Sequence, residues 1–109
     1  VYFHHVDVSD PIQVQRFTAT IINQFEGIDV VANIAGGFIG GLSVSEMDTE
    51  KWDFMMDLNL KSVFLMCKAI LPHMIERGSG KIVNVSARAG LAGAAGMGAY
   101  CVSKAGVRT

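Results

Sequence analysis

The sequence predicts an α/β fold built on a parallel β-sheet. Short apolar runs alternate with segments of helical periodicity, and the connections between them are short, which is the pattern of right-handed βαβ units. Of the 109 residues, 50% are hydrophobic and 17% are charged, a composition that favours a buried core over disorder. Because ligands of such sheets bind at the carboxyl ends of the strands, the loops that follow the strands form the candidate site.

The predicted elements follow the order strand, helix, strand, helix, strand, helix. Strands are expected at residues 1–6, 28–33 and 81–86, the second of them buried on both faces, and helices at residues 11–26, 48 or 49–77 and from 99 onward. Asp10 is suited to cap the first helix, with Pro11 at its first position and Gly27 at its end. Pro72 lies inside the second predicted helix, so a kink or a break is expected just before it.

Composition and charge exclude several classes of function. The formal net charge is -1 and the nine basic residues are scattered, which argues against nucleic-acid binding. No apolar stretch approaches the ~20 residues that span a bilayer, so no membrane association is expected. Cys67 and Cys101 have neither metal-site nor disulfide spacing, which predicts no metal site and a reducing, cytoplasmic location. The chain begins without methionine inside an apparent strand, as a fragment of a longer protein would.

Tyr100 and Lys104 form the strongest chemical signal. They lie four residues apart in the predicted last helix, so their side chains project from one face. An ammonium beside a phenol favours the phenolate, and such a pair is suited to general acid–base chemistry on a carbonyl or an alcohol. On this spacing alone, a surface tyrosine and lysine without a catalytic role is an open alternative.

Five short motifs follow one another along the chain: Asp7-Val8, Asn33-Ile34-Ala35-Gly36, Asn59-Leu60-Lys61-Ser62, Ile82-Val83-Asn84-Val85-Ser86 and Tyr100-Cys101-Val102-Ser103-Lys104. In order and separation they resemble the short-chain dehydrogenases/reductases over essentially the whole chain. The resemblance implies a Rossmann-like, doubly wound parallel sheet, of which this chain would hold strands 3 to 5 and the flanking helices. The chain would then be the central part of a single NAD(P)-binding domain, truncated at both ends.

The same resemblance implies roles for the motif residues. Tyr100 would give the proton to the reduced oxygen, Lys104 would also bind the nicotinamide ribose, and Asn59 would hold a water relay, with a plain structural amide as the alternative for Asn59. Residues implied in binding NAD or NADP are Asp7 and Val8 beside the adenine, and Asn33, Ile34, Ala35 and Gly36 beside the ribose, together with Tyr100 and Lys104. For Asp7 the alternative is capping of the chain, and Asn33 is equally suited to tying adjacent strands together.

One position departs from the family pattern. The substrate-binding serine of the family lies thirteen residues before the tyrosine, where this chain has Ala87. Ser86 is adjacent, but successive strand residues point to opposite faces, so its hydroxyl is expected near the cofactor or bonded within the sheet. Loss of one oxyanion donor typically costs ~10² to 10³ in rate. The substrate is therefore expected to need less polarisation than a plain ketone, and Arg88 is a candidate for the missing positive group, with a surface ion pair as the alternative.

The expected function is an NAD(P)-dependent oxidoreductase that acts on a carbonyl/alcohol pair. The Ala35-Gly36-Gly37-Phe38 and Ala87-Arg88-Ala89 runs are locally similar to dihydropteridine reductases, so a quinonoid substrate is an alternative. A cofactor-binding homologue with weak or lost catalysis is another. The resemblance also implies a homodimer or homotetramer assembled through the helices at about 49–77 and from 99, and the fragment alone is expected to be inactive.

Overall fold

Two strands, β1 (Val30–Asn33) and β2 (Lys81–Asn84), form a parallel sheet in the computed structural model, which describes residues 1–109. Val30 is paired with Lys81 and Asn33 with Asn84. The chain between the two strands passes through a loop and then through helices over residues 49–77, which is the βαβ crossover that the alternating pattern predicts. The fold is therefore a Rossmann-like α/β arrangement with a partial parallel sheet and flanking helices.

Residues 1–6 form no strand, so the sheet contains two of the three expected strands. In a doubly wound sheet of order 3-2-1-4-5-6, strands 2 and 1 lie between strand 3 and strand 4. Residues 1–6 are the predicted strand 3, whereas β1 and β2 correspond to strands 4 and 5. Residues 1–6 therefore have no neighbouring strand with which to pair. β1 begins two residues later than predicted and β2 ends two residues earlier, although the Val85 amide still donates to the Asn33 carbonyl oxygen at 3.0 Å.

Helix α1 (Pro11–Phe25) begins as predicted. The Asp10 carboxylate accepts hydrogen bonds from the amides of Ile12 (2.8 Å) and Gln13 (3.2 Å), which satisfies donors that the first turn leaves free. The end of the helix differs from the prediction, because Glu26 rather than Gly27 takes the left-handed conformation of the C-cap, with φ of 58°. Thr18 packs beside Val14 in the buried face of this helix.

The long predicted helix is interrupted, but not at Pro72. It consists of α2 (Thr49–Met56), a π-helical turn (Asp57–Lys61) and α3 (Ser62–Arg77). Pro72 lies within α3, so the predicted break there is wrong. Proline removes one backbone hydrogen bond, and the buried Ile70 and Met74 on either side anchor α3 across that gap. The π-helical turn, of a type often found at functional sites, lies at Asn59 instead.

The last helix, α4 (Gly98–Arg108), follows a loop that contains a 3-10 turn at Arg88–Gly90. Helix α4 packs against this turn, against α2 and against the π-helical turn, while α1 packs on α3. The buried apolar side chains come from all four helices: Val14, Met55, Leu65, Ile70, Met74, Ala99, Cys101 and Val107. None of the helices is both long enough and apolar enough to cross a membrane.

The sheet is covered less completely than predicted. Val31 and its partner Ile82 are half-buried, whereas Val30 and Val83, which share the opposite face, are 57% and 53% exposed. The expectation that residues 28–33 are buried on both faces is therefore wrong for this chain. A parallel strand is buried on both faces only where a layer of helices covers each of them.

Candidate active site

The side chain of Asn59 connects the glycine-rich loop at residues 34–41 to the helices. Its Oδ1 accepts a hydrogen bond from the Gly37 amide (2.8 Å), and its Nδ2 donates to the Gly37 carbonyl oxygen (3.0 Å) and to Ser103 Oγ (3.1 Å). Asn59 is only 1% exposed, so these bonds satisfy an amide that would otherwise be costly to bury. The π-helical turn thus places Asn59 where it holds both the loop and α4.

Lys104 is a buried lysine without a carboxylate partner. It is 6% exposed, and its Nζ donates a hydrogen bond to the Val85 carbonyl oxygen at 3.0 Å, at the carboxyl end of β2. Burial disfavours the charged ammonium and lowers the pKa of Lys104 below its ordinary range. A perturbed amine at the carboxyl edge of a parallel sheet is typical of a functional site.

Ser86 anchors the backbone of Lys104. Its hydroxyl donates a hydrogen bond to the Lys104 carbonyl oxygen at 2.6 Å. Ser86 is therefore bonded to α4, and the alternative that it is bonded within the sheet is wrong. The last backbone bond between the strands is that of the Val85 amide to Asn33, so the strict alternation of strand faces no longer governs Ser86. Sequence reasoning did not identify Ser86 as a residue that positions the lysine.

Gly36 passes close to both polar side chains. A Cβ atom at this position would lie 2.8 Å from Asn59 Oδ1 and 3.2 Å from Lys104 Nζ. The first distance is shorter than real Cβ contacts allow, so only glycine fits without displacing Asn59. The structure therefore brings together three of the predicted site residues, Gly36, Asn59 and Lys104.

Tyr100 lies in the first turn of α4, one turn before Lys104, and is half-buried. Its ring meets the ring of Phe38 edge to face, with centroids 5.0 Å apart and planes at 89°. The Tyr100 carbonyl oxygen accepts a hydrogen bond from Ser103 Oγ at 2.9 Å, which links it to Asn59. Sequence reasoning did not assign Phe38 a role, and the only signal for it was an aromatic residue within a run of glycines.

Two contacts join the glycine-rich loop to the segment that leads into α4. The Gly41 amide donates to the Gly96 carbonyl oxygen at 2.8 Å, and Leu42 forms an isolated parallel bridge with Met97. The loop that carries Phe38 and the segment that precedes Tyr100 are therefore fixed relative to each other.

The residues predicted to bind the cofactor converge only in part. A pocket of about 190 Å³ is lined by Val8, Asn33, Ile34 and Ala35, with Phe17, Ala32, Ser62 and Met66. Asn33 Nδ2 also donates to Asn84 Oδ1 at 2.8 Å, so it ties β1 to β2. Asp7 is not part of the pocket lining.

Asp7 forms a local turn with Ser9. Its Oδ1 accepts hydrogen bonds from the Ser9 hydroxyl at 2.6 Å and the Ser9 amide at 2.9 Å. These bonds, the hydroxyl first, lower the pKa of Asp7. The helix is capped by Asp10 and not by Asp7, and the exposed Asp7 carboxylate retains a free oxygen.

Ala87 and Arg88 follow β2 on the side of α4. Ala87 is extended, with φ of -149° and ψ of 161°, and Arg88 begins the 3-10 turn. Arg88 is exposed and forms neither an ion pair nor a side-chain hydrogen bond, so the surface ion pair that was its alternative role is not formed. Its side chain borders an open pocket of about 450 Å³ whose other walls are Ala89, Ala92, Gly93, Ala94 and Met97.

Tyr100, the buried Lys104 and the buried Asn59 lie together in an α/β fold with a parallel sheet. The family described as short chain dehydrogenase matches residues 1–109. The chain belongs to this family.

Individual relatives agree with the family assignment. The chain is 37% identical over 102 residues to a 3-oxoacyl-[acyl-carrier-protein] reductase of Thermotoga maritima, covering 94% of this chain and 41% of the relative. It is 38% identical over 104 residues to a 2-(R)-hydroxypropyl-CoM dehydrogenase of Xanthobacter autotrophicus, covering 93% and 41%. The chain thus spans about two fifths of the length of the curated relatives that it matches.

Solved structures share the fold closely. A short-chain dehydrogenase/reductase from Burkholderia xenovorans has a TM-score of 0.90 at 32% identity, covering 95% of this chain and 41% of that one. The structure of ElxO with NADP bound has a TM-score of 0.94 at 30% identity, covering 97% and 43%. The backbone of residues 1–109 therefore follows that of complete members of the family.

Proposed function

We propose that this chain is the central part of one NAD(P)-binding domain, in an oxidoreductase that transfers a hydride between nicotinamide and a carbonyl/alcohol substrate. The observation that carries the proposal is the cluster of Gly36, Asn59 and Lys104 next to Tyr100, at the carboxyl edge of the parallel sheet. The relatives are named as reductases and dehydrogenases of oxo or hydroxy compounds. A reaction of the same class is the simplest function for this cluster.

The residues on the carboxyl edge fit a dinucleotide. The pocket after β1 is lined mostly by apolar side chains, and there Val8, Asn33, Ile34 and Ala35 would hold the adenosine half, with the free oxygen of Asp7 beside the adenine. The missing Cβ of Gly36 leaves room for a close backbone approach beside Lys104. ElxO, with the same backbone over this region, binds NADP. The proposed cofactor is accordingly NAD or NADP.

The proposed chemistry divides between cofactor and chain. The nicotinamide, when bound, supplies or accepts the hydride. Tyr100 gives its hydroxyl proton to the substrate oxygen during reduction and takes it back during oxidation. Lys104 holds the nicotinamide ribose and places a positive charge one helical turn from the phenol.

For Asn59 we propose a role in the path by which protons return to Lys104. Its side-chain bonds already fix the loop and α4, so the asparagine positions the groups between which a water would bridge. Its structural role and the proposed relay are compatible, because the relay needs the loop and the lysine to remain at fixed separation.

The alanine at position 87 restricts the class of substrate that we propose. No hydroxyl is available at this position to polarise the carbonyl, a loss worth ~10² to 10³ in rate for a plain ketone. An electron-poor or quinonoid acceptor needs less polarisation, and Arg88, which has no partner within the chain, is the proposed positive group beside it. Ala87→Ser should raise kcat/KM on simple ketones about tenfold or more if the absent donor is limiting, and an unchanged value would mean that another donor acts there.

For the whole protein we propose a homodimer or homotetramer in the cytoplasm. The exposed apolar residues Phe64, Leu71 and Ile75 lie along α3, and Val102 lies on α4, the two helices that the family resemblance assigns to subunit contacts. Both cysteines are free thiols, which suits a reducing compartment. Size-exclusion chromatography with light scattering tests the assembly directly.

The function is tested with the full-length protein and its Tyr100→Phe variant. NADH and NADPH oxidation is measured against a panel of ketones, oxoacyl thioesters and quinones, and cofactor affinity is measured separately by fluorescence. We expect Tyr100→Phe to lower kcat by at least ~10² while the variant still binds the cofactor. Full activity in Tyr100→Phe would refute the role of Tyr100. Cofactor binding without turnover on any acceptor would favour the catalytically weak homologue.

A further inference from the structure

We infer that Phe38 is a specificity-determining residue, whose exposed ring beside Tyr100 selects substrates with a planar aromatic or conjugated group next to the reacting carbonyl. The inference rests on the proposed function, because it takes Tyr100 as the group that meets the substrate oxygen. It adds a chemical class of substrate and a residue that recognises it.

The contact between the two rings leaves much of Phe38 free. The centroids of Phe38 and Tyr100 are 5.0 Å apart with planes at 89°, while 60% of Phe38 remains exposed. An exposed aromatic ring beside a proton donor offers a flat apolar surface to whatever approaches that donor. Aromatic groups favour such surfaces in offset-stacked or edge-to-face geometry.

The backbone on both sides of Phe38 is anchored. Gly37 is bonded through its amide and its carbonyl oxygen to Asn59, and the Ile39 amide donates to Met55 Sδ at 3.1 Å. Met55 and Asn59 are themselves fully buried. The loop at Phe38 is thus fixed from the inside by α2 and the π-helical turn.

The ring of Phe38 folds back over Gly40. A Cβ atom at Gly40 would lie 2.3 Å from Phe38 Cζ and 3.0 and 3.1 Å from the two neighbouring ring carbons. Glycine at this position therefore makes room for the ring. Because the backbone on both sides of Phe38 is anchored, little backbone entropy is lost when a ligand arrives, which strengthens recognition.

The chemistry at Ala87 points to the same substrate class. Conjugation with an aromatic or quinonoid system lowers the demand for a hydrogen-bond donor on the carbonyl oxygen, and position 87 offers no such side-chain donor. A planar acceptor that lies against Phe38 satisfies both features of the site. The side-chain polar atoms of Asn59 are bonded to Gly37 and Ser103, so they are not free to bind a substrate that lies against Phe38.

The test uses binding, which does not depend on turnover. Full-length protein is saturated with oxidised cofactor, with which a ketone cannot react, and titrated with acetophenone and with cyclohexyl methyl ketone by calorimetry or ligand-observed NMR. The two probes have the same carbon skeleton, but only one ring is flat. We expect wild type to bind acetophenone about 2- to 12-fold more tightly, and Phe38→Leu to lose that preference.

The matched control is Phe25→Leu. Phe25 is 54% exposed and also contacts a tyrosine, Tyr2, edge to face at 6.0 Å, but it lies at the end of α1. This variant should keep the wild-type preference. Equal binding of both ketones by wild type, binding of neither, or a preference that survives in Phe38→Leu would overturn the inference. Failure of the proposed function would instead appear as unchanged turnover in Tyr100→Phe, a separate measurement.

Discussion

Gly90→Ala should displace the backbone of Lys104 and thereby disturb the candidate active site. Gly90 ends the 3-10 turn and is buried against α4. A Cβ atom there would lie 2.7 Å from both the carbonyl carbon and the carbonyl oxygen of Lys104, and 3.0 Å from the Ala105 amide nitrogen. These are backbone atoms of a helix, so they cannot move aside as the end of a flexible side chain can.

The size of the effect follows from those distances. An ordinary contact begins at 3.4 Å, so the turn and α4 must separate by about 0.7 Å at this point. Overpacking of this kind costs about 1 to 3 kcal/mol of folding free energy. The same displacement would stretch the 2.6 Å bond from Ser86 Oγ to the Lys104 carbonyl oxygen, and misplacement by about 1 Å is known to lower rates ~10²-fold.

The assay compares Gly90→Ala with Gly93→Ala in the full-length protein. Gly93 lies in the same loop, and a Cβ atom there meets nothing within 4 Å. Urea unfolding should show a loss of about 1 to 3 kcal/mol for Gly90→Ala and a change within ~0.5 kcal/mol for Gly93→Ala. Turnover of NADPH with the best acceptor should fall only in the first variant. Equal stability and equal turnover in the two variants would refute the reasoning.

Two further predictions concern the same cluster. Gly36→Ala should weaken NADPH binding and lower the unfolding free energy by about 1 to 3 kcal/mol, because its Cβ atom would displace Asn59 Oδ1; unchanged cofactor fluorescence titrations would contradict this. Lys104→Met should abolish activity and change the pH dependence of stability. Burial lowers the pKa of Lys104 in the folded state, so the unfolded state binds more protons and wild-type stability rises as pH increases from that folded value toward about 10.4. The melting temperature of wild type minus that of Lys104→Met should therefore rise between pH 7 and pH 10, and a flat difference would argue against a buried ammonium.

The local features of the fold follow from the sequence because neighbouring residues determine them. Asp10 and Pro11 specify the start of α1 through contacts within four residues, and the alternation of apolar runs with helical periodicity specifies the parallel βαβ crossover. Pro72 shows the limit of this reasoning. Its local preference against a helix interior is overcome by the packing of α3, whereas the π-helical turn arises where Asn59 must reach distant partners.

The candidate site depends on longer-range contacts, which periodicity does not contain. Asn59 is bonded to Gly37 and Ser103, which lie 22 and 44 residues away, and Ser86 is bonded to Lys104, 18 residues away. The residue types were visible in the sequence, because an asparagine in an apolar helix must find partners. Which partners it finds depends on how the helices pack. The contact of Ser86 with Lys104 and that of Phe38 with Tyr100 could therefore be identified only from the structure.

Small residues are required on two sides of Lys104. A Cβ atom at Gly36 would lie 2.8 Å from Asn59 Oδ1 and 3.2 Å from Lys104 Nζ, and one at Gly90 would lie 2.7 Å from the Lys104 backbone carbonyl. Burying an ammonium without a carboxylate costs stability, and the one bond that Nζ donates, to Val85, offsets only part of that cost. A lysine kept buried in this way, between two glycines and beside Tyr100, is better explained by the proposed role of its charge in the reaction than by any contribution to folding.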